Sequence, residues 1–324
     1  MSVFACAVAM IVSGRRAHAY CREVSATTPS GYDPATSGCF YPSVDPNNDA
    51  GVFELYWRNT CVGYSLQKDA SKQVTLDQAR EIAAQAFGAW SAVACPGGGS
   101  PSITAKELDP VDCNLAQYNE HQGNQNAIIF RDNGWPYNDS SNTLGLTTLT
   151  VDLNTGEILD ADMELNTHGY QLVANGPVPP NAYDLASVLT HEAGHFLGLA
   201  HSEDSSAVMF VHYKSASTMP MADDVAGICA LYPPGGARAP SAGFLAPGPC
   251  DPTPRNGFST QCGPIQTFDA GALHSLDGTT PRMPCDTGFG CAVGPGSARD
   301  QRTLWVLGLA ALLFTRTMRR LHGN

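Results

Sequence analysis

The sequence predicts an α/β fold of the α+β kind, in which a mixed β-sheet packs against amphipathic helices. Apolar residues recur every three or four positions over 79–93 and again over 183–197, as in helices with one buried face. Runs rich in apolar and β-branched residues at 127–130, 144–151 and 157–165 are typical of strands. These segments favour one domain of about 200 residues with extensions at both ends.

The first predicted helix runs from Thr75 to Ala94, after a short candidate strand at Phe53–Tyr56. Thr75 and Gln78 have the spacing of a capping box, in which each side chain satisfies a backbone N–H of the first turn. The buried stripe should comprise Ala79, Ile82, Ala83, Ala86, Phe87, Trp90 and Val93.

Three strands are predicted next, at Ala127–Phe130, Leu144–Val151 and Glu157–Leu165. The segment Asn154–Gly156 between the last two is typical of a hairpin turn. We therefore expect these two strands to be antiparallel neighbours.

Two more helices are predicted towards the middle of the chain. The first, Tyr183–Leu197, can end at Gly198, because glycine readily adopts the left-handed conformation of a helix C-terminus. The second, Ala222–Leu231, begins with Asp223 and Asp224, whose carboxylates favour the positive end of the helix dipole.

The helix over 183–197 carries the motif H-E-x-x-H-x-x-G-x-x-H, from His191 to His201. His191 and His195 are one turn apart on the same face, so both imidazoles can bind one ion. A chain reversal at Gly198 would bring His201 to that ion as a third ligand. We predict one catalytic Zn²⁺ here, with its fourth position left for water; the alternative is three histidines that only pack or face solvent.

Glu192 follows the first ligand and can point at the water rather than at the metal. Such a carboxylate acts as a general base, which takes the proton of the attacking water and returns it to the departing amine. The predicted reaction is therefore hydrolysis of a peptide bond. A non-catalytic surface adhesin on the same fold is the alternative, which Glu192 disfavours because binding alone does not need a base.

The motif and the residues after it resemble the matrixin branch of the metzincin peptidases, over roughly 51–232. The run from His201 to Met209 has the matrixin step from the third ligand to the Met-turn. The resemblance implies that Met209 lies beneath the metal, a core methionine being the alternative, and that Asp223 and Asp224 brace the Met-turn. It also implies the metzincin fold, with a twisted mixed sheet above the cleft and an active-site helix and Met-turn below.

The resemblance also points to substrate-binding residues. Residues 142–150 resemble the edge strand above the metal cleft, where the backbone of Gly145 and Leu146 would pair with an extended peptide. An ordinary protected edge strand is the alternative for these two residues. Tyr213, four residues beyond Met209, has the matrixin spacing and would line the first primed-side pocket.

Two matrixin features have no counterpart in the sequence. We find no cysteine-switch motif before the catalytic region, and residues 131–141 lack the His-Gly-Asp loop of a second zinc site, so one zinc is expected. Several carboxylates could supply oxygen ligands for Ca²⁺, although a solvated acidic face is the favoured interpretation. These are Asp139, Asp152, Asp160, Asp162 and Glu164.

The ends of the chain differ in composition from its centre. An apolar N-terminal run that ends in an A-x-A sequence is typical of a secretory signal, although its arginines follow the run instead of preceding it. The expected organisation is a signal peptide at 1–19, a leader or short prosegment at 20–50, the peptidase domain at 51–234, a Pro/Gly-rich linker with cysteines at 235–290 and a sorting tail at 291–324.

The tail combines Cys291, the apolar run 304–314 and a cluster of arginines, and resembles the MYXO-CTERM sorting signal of myxobacteria. The resemblance implies that Cys291 is the processing or attachment site. A secreted, extracellular protein with transient attachment to the membrane or cell surface is therefore expected. The run is short for a membrane span, so a buried or amphipathic terminal helix is the alternative.

The amino-acid composition indicates the cellular compartment of the protein and the classes of molecule that it binds. Eleven cysteines without a C-x-x-C pair favour disulfides in an oxidising compartment, with Cys21–Cys39 and Cys95–Cys113 as local pairs. A net charge of −12 with 18 Lys plus Arg argues against nucleic-acid binding, which needs clustered basic residues. We expect protein or peptide substrates and a monomeric chain.

Overall fold

The computed structural model describes most of the chain between residues 20 and 263. The described ranges are 20–26, 32–40, 52–137, 142–240, 243–263 and the backbone of 282–284. The predicted signal peptide, Asp139 and Cys291 with the sorting tail lie outside them.

The described residues contain both helices and strands, as expected for a mixed fold. The helices are α1 (Pro34–Ser37), α2 (Leu76–Ser91), α3 (Leu185–Phe196) and α4 (Ala222–Leu231). The strands are β1 (Cys61–Leu66), β2 (Thr104–Glu107), β3 (Ala127–Phe130), β4 (Gly145–Val151), β5 (Ile158–Leu165), β6 (Gln171–Val173), β7 (Ala182–Asp184) and β8 (Arg282–Pro284).

One mixed sheet has the strand order β2-β1-β3-β5-β4-β8, and β6 pairs with β7 separately. Strands β2, β1, β3 and β5 are parallel neighbours, whereas β4 is antiparallel to both β5 and β8. The predicted α/β class and the β4–β5 hairpin are confirmed. Gly156 in the hairpin turn has φ +78°, a conformation that glycine adopts without strain.

Helix α2 packs its predicted apolar stripe against the sheet and α3. The capping box is confirmed, since Thr75 Oγ1 accepts the Gln78 N–H at 3.3 Å and Gln78 Oε1 accepts the Thr75 N–H at 3.0 Å. The helix ends at Ser91, earlier than predicted.

Three local predictions differ from the structure. Residues 53–56 form isolated bridges, from Glu54 to Val24 and from Tyr56 to Glu157, instead of a strand. Strand β1 was not predicted, because all six of its residues are buried and its sequence lacks the alternation of a half-exposed strand. Helix α1 was not predicted either; it lies in the expected leader or prosegment, and Pro34 begins its first turn.

Within the described residues, four disulfides tie separate segments together. They are Cys21–Cys39, Cys61–Cys250, Cys95–Cys229 and Cys113–Cys262. The predicted Cys21–Cys39 pair is confirmed, but the predicted Cys95–Cys113 pair is wrong. Cys95 lies in the main core, whereas Cys113 belongs to a separate apolar cluster with Val111 and Ile129, so proximity in sequence did not indicate proximity in space.

The segment after α4 is anchored by the fully buried side chain of Arg238. Its guanidinium donates to the carbonyl oxygens of Trp57 at 2.7 Å and Asn59 at 2.6 Å, and stacks 4.9 Å from the centre of the Tyr232 ring. Residues 243–263 are held to the domain by Cys250 and Cys262. Within the described residues, no helix is both long and apolar enough to cross a membrane.

Candidate metal centre

Two buried tryptophans hold helix α3, one at its middle and one at its C-terminal end. The indole N–H of Trp90 donates to the carbonyl of Thr190 at 2.8 Å. The indole N–H of Trp57 donates to the carbonyl of Phe196 at 2.7 Å. Because each bond joins the helix backbone to a rigid side chain of another segment, the histidines of α3 have a fixed framework.

Three buried histidine rings converge at one point. His195 Nε2 lies 3.1 Å from His191 Nε2 and 3.3 Å from His201 Nε2. Tetrahedral zinc with bonds of about 2.0–2.1 Å requires nitrogen separations of about 3.3 Å. The structure therefore brings the three predicted ligands together at distances that fit one zinc ion.

Hydrogen bonds to the other ring nitrogens set the tautomers of two of these histidines. His191 Nδ1 lies 2.7 Å from the carbonyl oxygen of Val208, and His195 Nδ1 lies 2.7 Å from that of Leu199. A carbonyl only accepts, so each Nδ1 carries the proton and each Nε2 presents a lone pair.

Burial also keeps these rings uncharged. It lowers the pKa of His191 well below its ordinary value and that of His195 to about 3. The Nε2 atoms of His191 and His195 are 3.1 Å apart, and their lone pairs repel each other unless a cation lies between them. This pair of nitrogens therefore suits a metal ion.

Gly198 reverses the chain after α3, as predicted. It has φ +93°, and its N–H donates to the carbonyl of His195 at 2.8 Å. A Cβ at this position would lie 2.9 Å from the carbonyl oxygen of Leu55. Both the positive φ and the nearby Leu55 carbonyl therefore require glycine at this position. The turn brings His201 back to His191 and His195.

The N-terminal segment supports this turn, a contact that the sequence did not reveal. Arg22 forms an antiparallel bridge with Leu199. The Glu23 N–H donates to Gly198 O, and the Ala200 N–H donates to the Cys21 carbonyl, both at 3.1 Å. Residues predicted as a leader thus lie along the loop that carries the third ligand.

Met209 lies against α3 at Gly194 and is 2 % exposed. A Cβ on Gly194 would overlap its sulfur, so the glycine of the motif leaves the space that Met209 fills. Asp224 accepts the N–H groups of Val208 at 2.7 Å and Met209 at 3.1 Å. Asp223 accepts the Ser202 hydroxyl at 2.6 Å.

Glu192 is fully buried on α3 and faces strand β4. The Thr147 hydroxyl lies 2.7 Å from its Oε2. A Cβ on Gly145 would lie 2.7 Å from its Oε1. The sequence indicated Gly145 as a peptide-binding position, but it gave no indication that Gly145 and Thr147 contact Glu192.

The other two predicted substrate-binding residues are Leu146 and Tyr213, and they lie in different surroundings. Leu146 is buried on the opposite face of β4, beside its β5 partner Glu164. The Tyr213 hydroxyl accepts the N–H of Asp184, the N-cap of α3, at 2.8 Å. The Tyr213 ring packs edge-on against Tyr183.

The acidic residues of β5 are buried, which contradicts the predicted solvated face. Asp162 accepts the N–H groups of Gln117 at 2.8 Å and Ala127 at 2.7 Å, and Glu164 pairs with Arg131. Asp160 is 1 % exposed. Within the described part of the chain, the three histidines form the one group of three or more His, Cys, Asp or Glu residues close enough to share a metal.

Comparison with known proteins identifies similar sequences. A family model described as Matrixin matches residues 56–233, more than half of the chain. The chain is 31% identical to human Matrix metalloproteinase-20 over 193 residues, which are 56% of this chain and 33% of that protein. It is 25% identical to Matrix metalloproteinase-C of Caenorhabditis elegans over 207 residues, 59% of this chain and 31% of that protein.

A shorter match is closer in sequence. Metalloendoproteinase 1-MMP of Arabidopsis thaliana is 49% identical over 55 residues, 16% of this chain and 15% of that protein. The chain thus spans about a third or less of the length of these relatives.

Proposed function

The chain belongs to the matrixin family, and from this premise and the geometry of the metal centre we propose that it is a zinc-dependent endopeptidase. The observation that carries the proposal is the convergence of three buried imidazoles beside one buried carboxylate. His191, His195 and His201 would hold the zinc, and Glu192 is the adjacent acid–base group.

Bound zinc would polarise the peptide carbonyl and make water easier to deprotonate at neutral pH. Glu192 takes the proton of the attacking water. It then delivers this proton to the amine nitrogen as the C–N bond breaks. Met209 would support the centre from below, because it packs against α3 at Gly194, the residue before His195.

Strand β4 supplies the proposed peptide-binding edge. Among the described residues, β8 pairs with Thr148–Thr150 on the side of β4 away from β5, and this pairing does not extend over 145–147. The backbone of Gly145 and Leu146 would pair there with an extended substrate. The β8 contact supports this role, since it is itself an antiparallel pairing of an extended segment with the same edge. Tyr213 would border the first primed-side pocket.

The described disulfides support the proposed location outside the cytoplasm. Four disulfides persist only under oxidising conditions, and matrixins are generally secreted. We also propose that residues 1–19 are a signal peptide and that the peptidase domain spans 51–234. Cys291 is the proposed site of processing or attachment to the cell surface. Each is testable by mass spectrometry of the mature protein. A monomer with one zinc is the proposed working form.

The test is metal analysis of the purified protein together with digestion of a peptide library, with and without a chelator. We expect one zinc per chain, cleavage that the chelator abolishes, and recovery when zinc is restored. Glu192→Gln should keep the zinc and lower the rate by at least about a thousandfold, because the base is lost while the ligands remain.

Glu81→Gln is the matched control, since Glu81 is an exposed carboxylate on α2. It should cleave at the parent rate. Zinc binding without any cleavage by the parent protein would instead favour a surface adhesin on this fold. Parent-like cleavage by Glu192→Gln would contradict the proposed mechanism.

A further inference from the structure

We infer that Thr147 is a positioning residue that fixes the carboxylate of Glu192 through its hydroxyl, with Gly145 leaving the space for the second carboxylate oxygen. The inference rests on the proposed function, because it assigns a task to the residue next to the proposed base. It concerns a side chain that the sequence motif does not contain.

Thr147 lies on the face of β4 that looks towards α3. Its side chain is fully buried, and its hydroxyl lies 2.7 Å from Glu192 Oε2 and 3.3 Å from the Glu192 carbonyl oxygen. The hydroxyl has one proton, and its shorter contact, to Glu192 Oε2, is the stronger hydrogen bond. Thr147 therefore donates to the carboxylate.

The backbone restricts the direction of this donor. A β-branched side chain has few favourable χ1 rotamers, and Thr147 sits within the β4–β5 ladder opposite Met163. Glu192 has a longer side chain with more rotatable bonds, whose freedom would otherwise have to be lost in each turnover. The rigid Thr147 side chain thus orients the flexible Glu192 side chain.

Gly145 completes the arrangement two residues earlier on the same face of β4. A Cβ there would lie 2.7 Å from Glu192 Oε1 and 3.0 Å from the carboxylate carbon. The missing side chain therefore allows the carboxylate to lie flat along the strand, with Oε2 held by Thr147 and Oε1 beside Gly145.

The test uses the zinc-loaded full chain and compares Thr147→Val with Thr147→Ser. Valine keeps the shape and removes the hydroxyl, whereas serine keeps the hydroxyl. We expect Thr147→Val to lower kcat roughly ten- to a hundredfold with KM within about twofold, and Thr147→Ser to recover at least half of the parent kcat. Zinc content and the thermal midpoint should stay near the parent values for both variants.

Thr148→Val is the matched control. Thr148 is the next residue, its hydroxyl is buried on the opposite face of β4, and that hydroxyl makes no hydrogen bond within the described residues. Removing it should leave kcat within about twofold of the parent value.

Two outcomes would overturn the inference: parent-like kcat in Thr147→Val, or an equal loss in Thr147→Ser, which would indicate a packing effect. If Glu192→Gln also remains active, the proposed function fails as well. If Glu192→Gln is inactive and Thr147→Val is not, only the inference fails.

Discussion

The carboxylate of Asp224 accepts the backbone N–H of Met209 at 3.1 Å. Its other oxygen accepts the N–H of Val208, whose carbonyl in turn receives the ring N–H of His191. Helix α4 is thereby connected to His191, a proposed metal ligand, through one residue of the intervening loop. Burial raises the pKa of Asp224 although three N–H groups, including that of Met221, act against it.

Replacement of Asp224 by Ala should therefore weaken both the fold and the metal centre. Two buried N–H donors and the part-buried N–H of Met221 would lose their acceptor, at a cost of about 2–3 kcal/mol in the free energy of unfolding. Urea denaturation of the zinc-loaded protein measures this loss, and zinc content after dialysis should also fall. Asp109→Ala removes an exposed carboxylate and should change neither value. An unchanged urea midpoint for Asp224→Ala would contradict the bracing role.

Gly198→Ala should cost more stability than Gly176→Ala. Both glycines have positive φ, at +93° and +88°, so each substitution incurs the strain of that conformation, about 1 kcal/mol. A Cβ at 198 would also press on Leu55 O, whereas a Cβ at 176 meets no heavy atom within 4 Å. Thermal unfolding of the two variants separates strain from steric contact. Zinc retention should fall only in Gly198→Ala, and equal effects in both would count against the close contact at 198.

Peptide mapping without reduction should recover linked peptides containing Cys95 with Cys229 and Cys113 with Cys262. The Cys95–Cys229 bond closes a separation of 134 residues between the end of α2 and α4. Replacing both partners by Ser should lower the free energy of unfolding by about 2–5 kcal/mol. Recovery of a Cys95–Cys113 peptide would show that the pairing described here is wrong.

Asp132 should stabilise the fold more at neutral than at acidic pH. Partial burial tends to raise its pKa, but hydrogen bonds from Thr167, Ser71 and the Lys72 N–H outweigh burial and lower it. Because the folded-state pKa is the lower one, the contribution is present above the unfolded pKa and is lost as pH falls through the folded value. Asp132→Asn should cost less than about 1 kcal/mol at pH 7, because solvent screens this partly exposed group, and less again at pH 3. Urea unfolding at both pH values measures the loss in the free energy of unfolding, and the exposed Asp69→Asn is the control. An equal loss at pH 7 and pH 3 would contradict the prediction.

The elements that the sequence predicted are those fixed by local information. Helix α4 has the predicted limits, and α2 and α3 differ from the prediction by a few residues at their ends. Periodicity, the capping box at Thr75 and the glycine at 198 all act within one or two turns of the chain. The histidine spacing is local as well, so the metal centre could be predicted in outline.

Features that depend on distant segments could not be predicted. Strand β1 is buried on both faces, so its sequence carries no alternation. The Arg22–Leu199 bridge joins segments that lie far apart in the sequence. The buried state of Asp162 depends on N–H groups from other segments, and a carboxylate alone looks like a surface residue. Thr147 resembles any strand residue until α3 is placed beside it.

The backbone bridge between Cys21–Glu23 and Gly198–Ala200 bears on how shortened versions of this protein should be designed for expression. A version that starts at residue 51 omits one half of the bridge and exposes the carbonyl of Gly198 and the N–H of Ala200 to solvent. A version that starts at Tyr20 keeps both halves, together with the Cys21–Cys39 bond. The N-terminal boundary of a useful recombinant domain should therefore include the backbone bridge to Gly198–Ala200, and it should not be placed at the first residue that matches a family model.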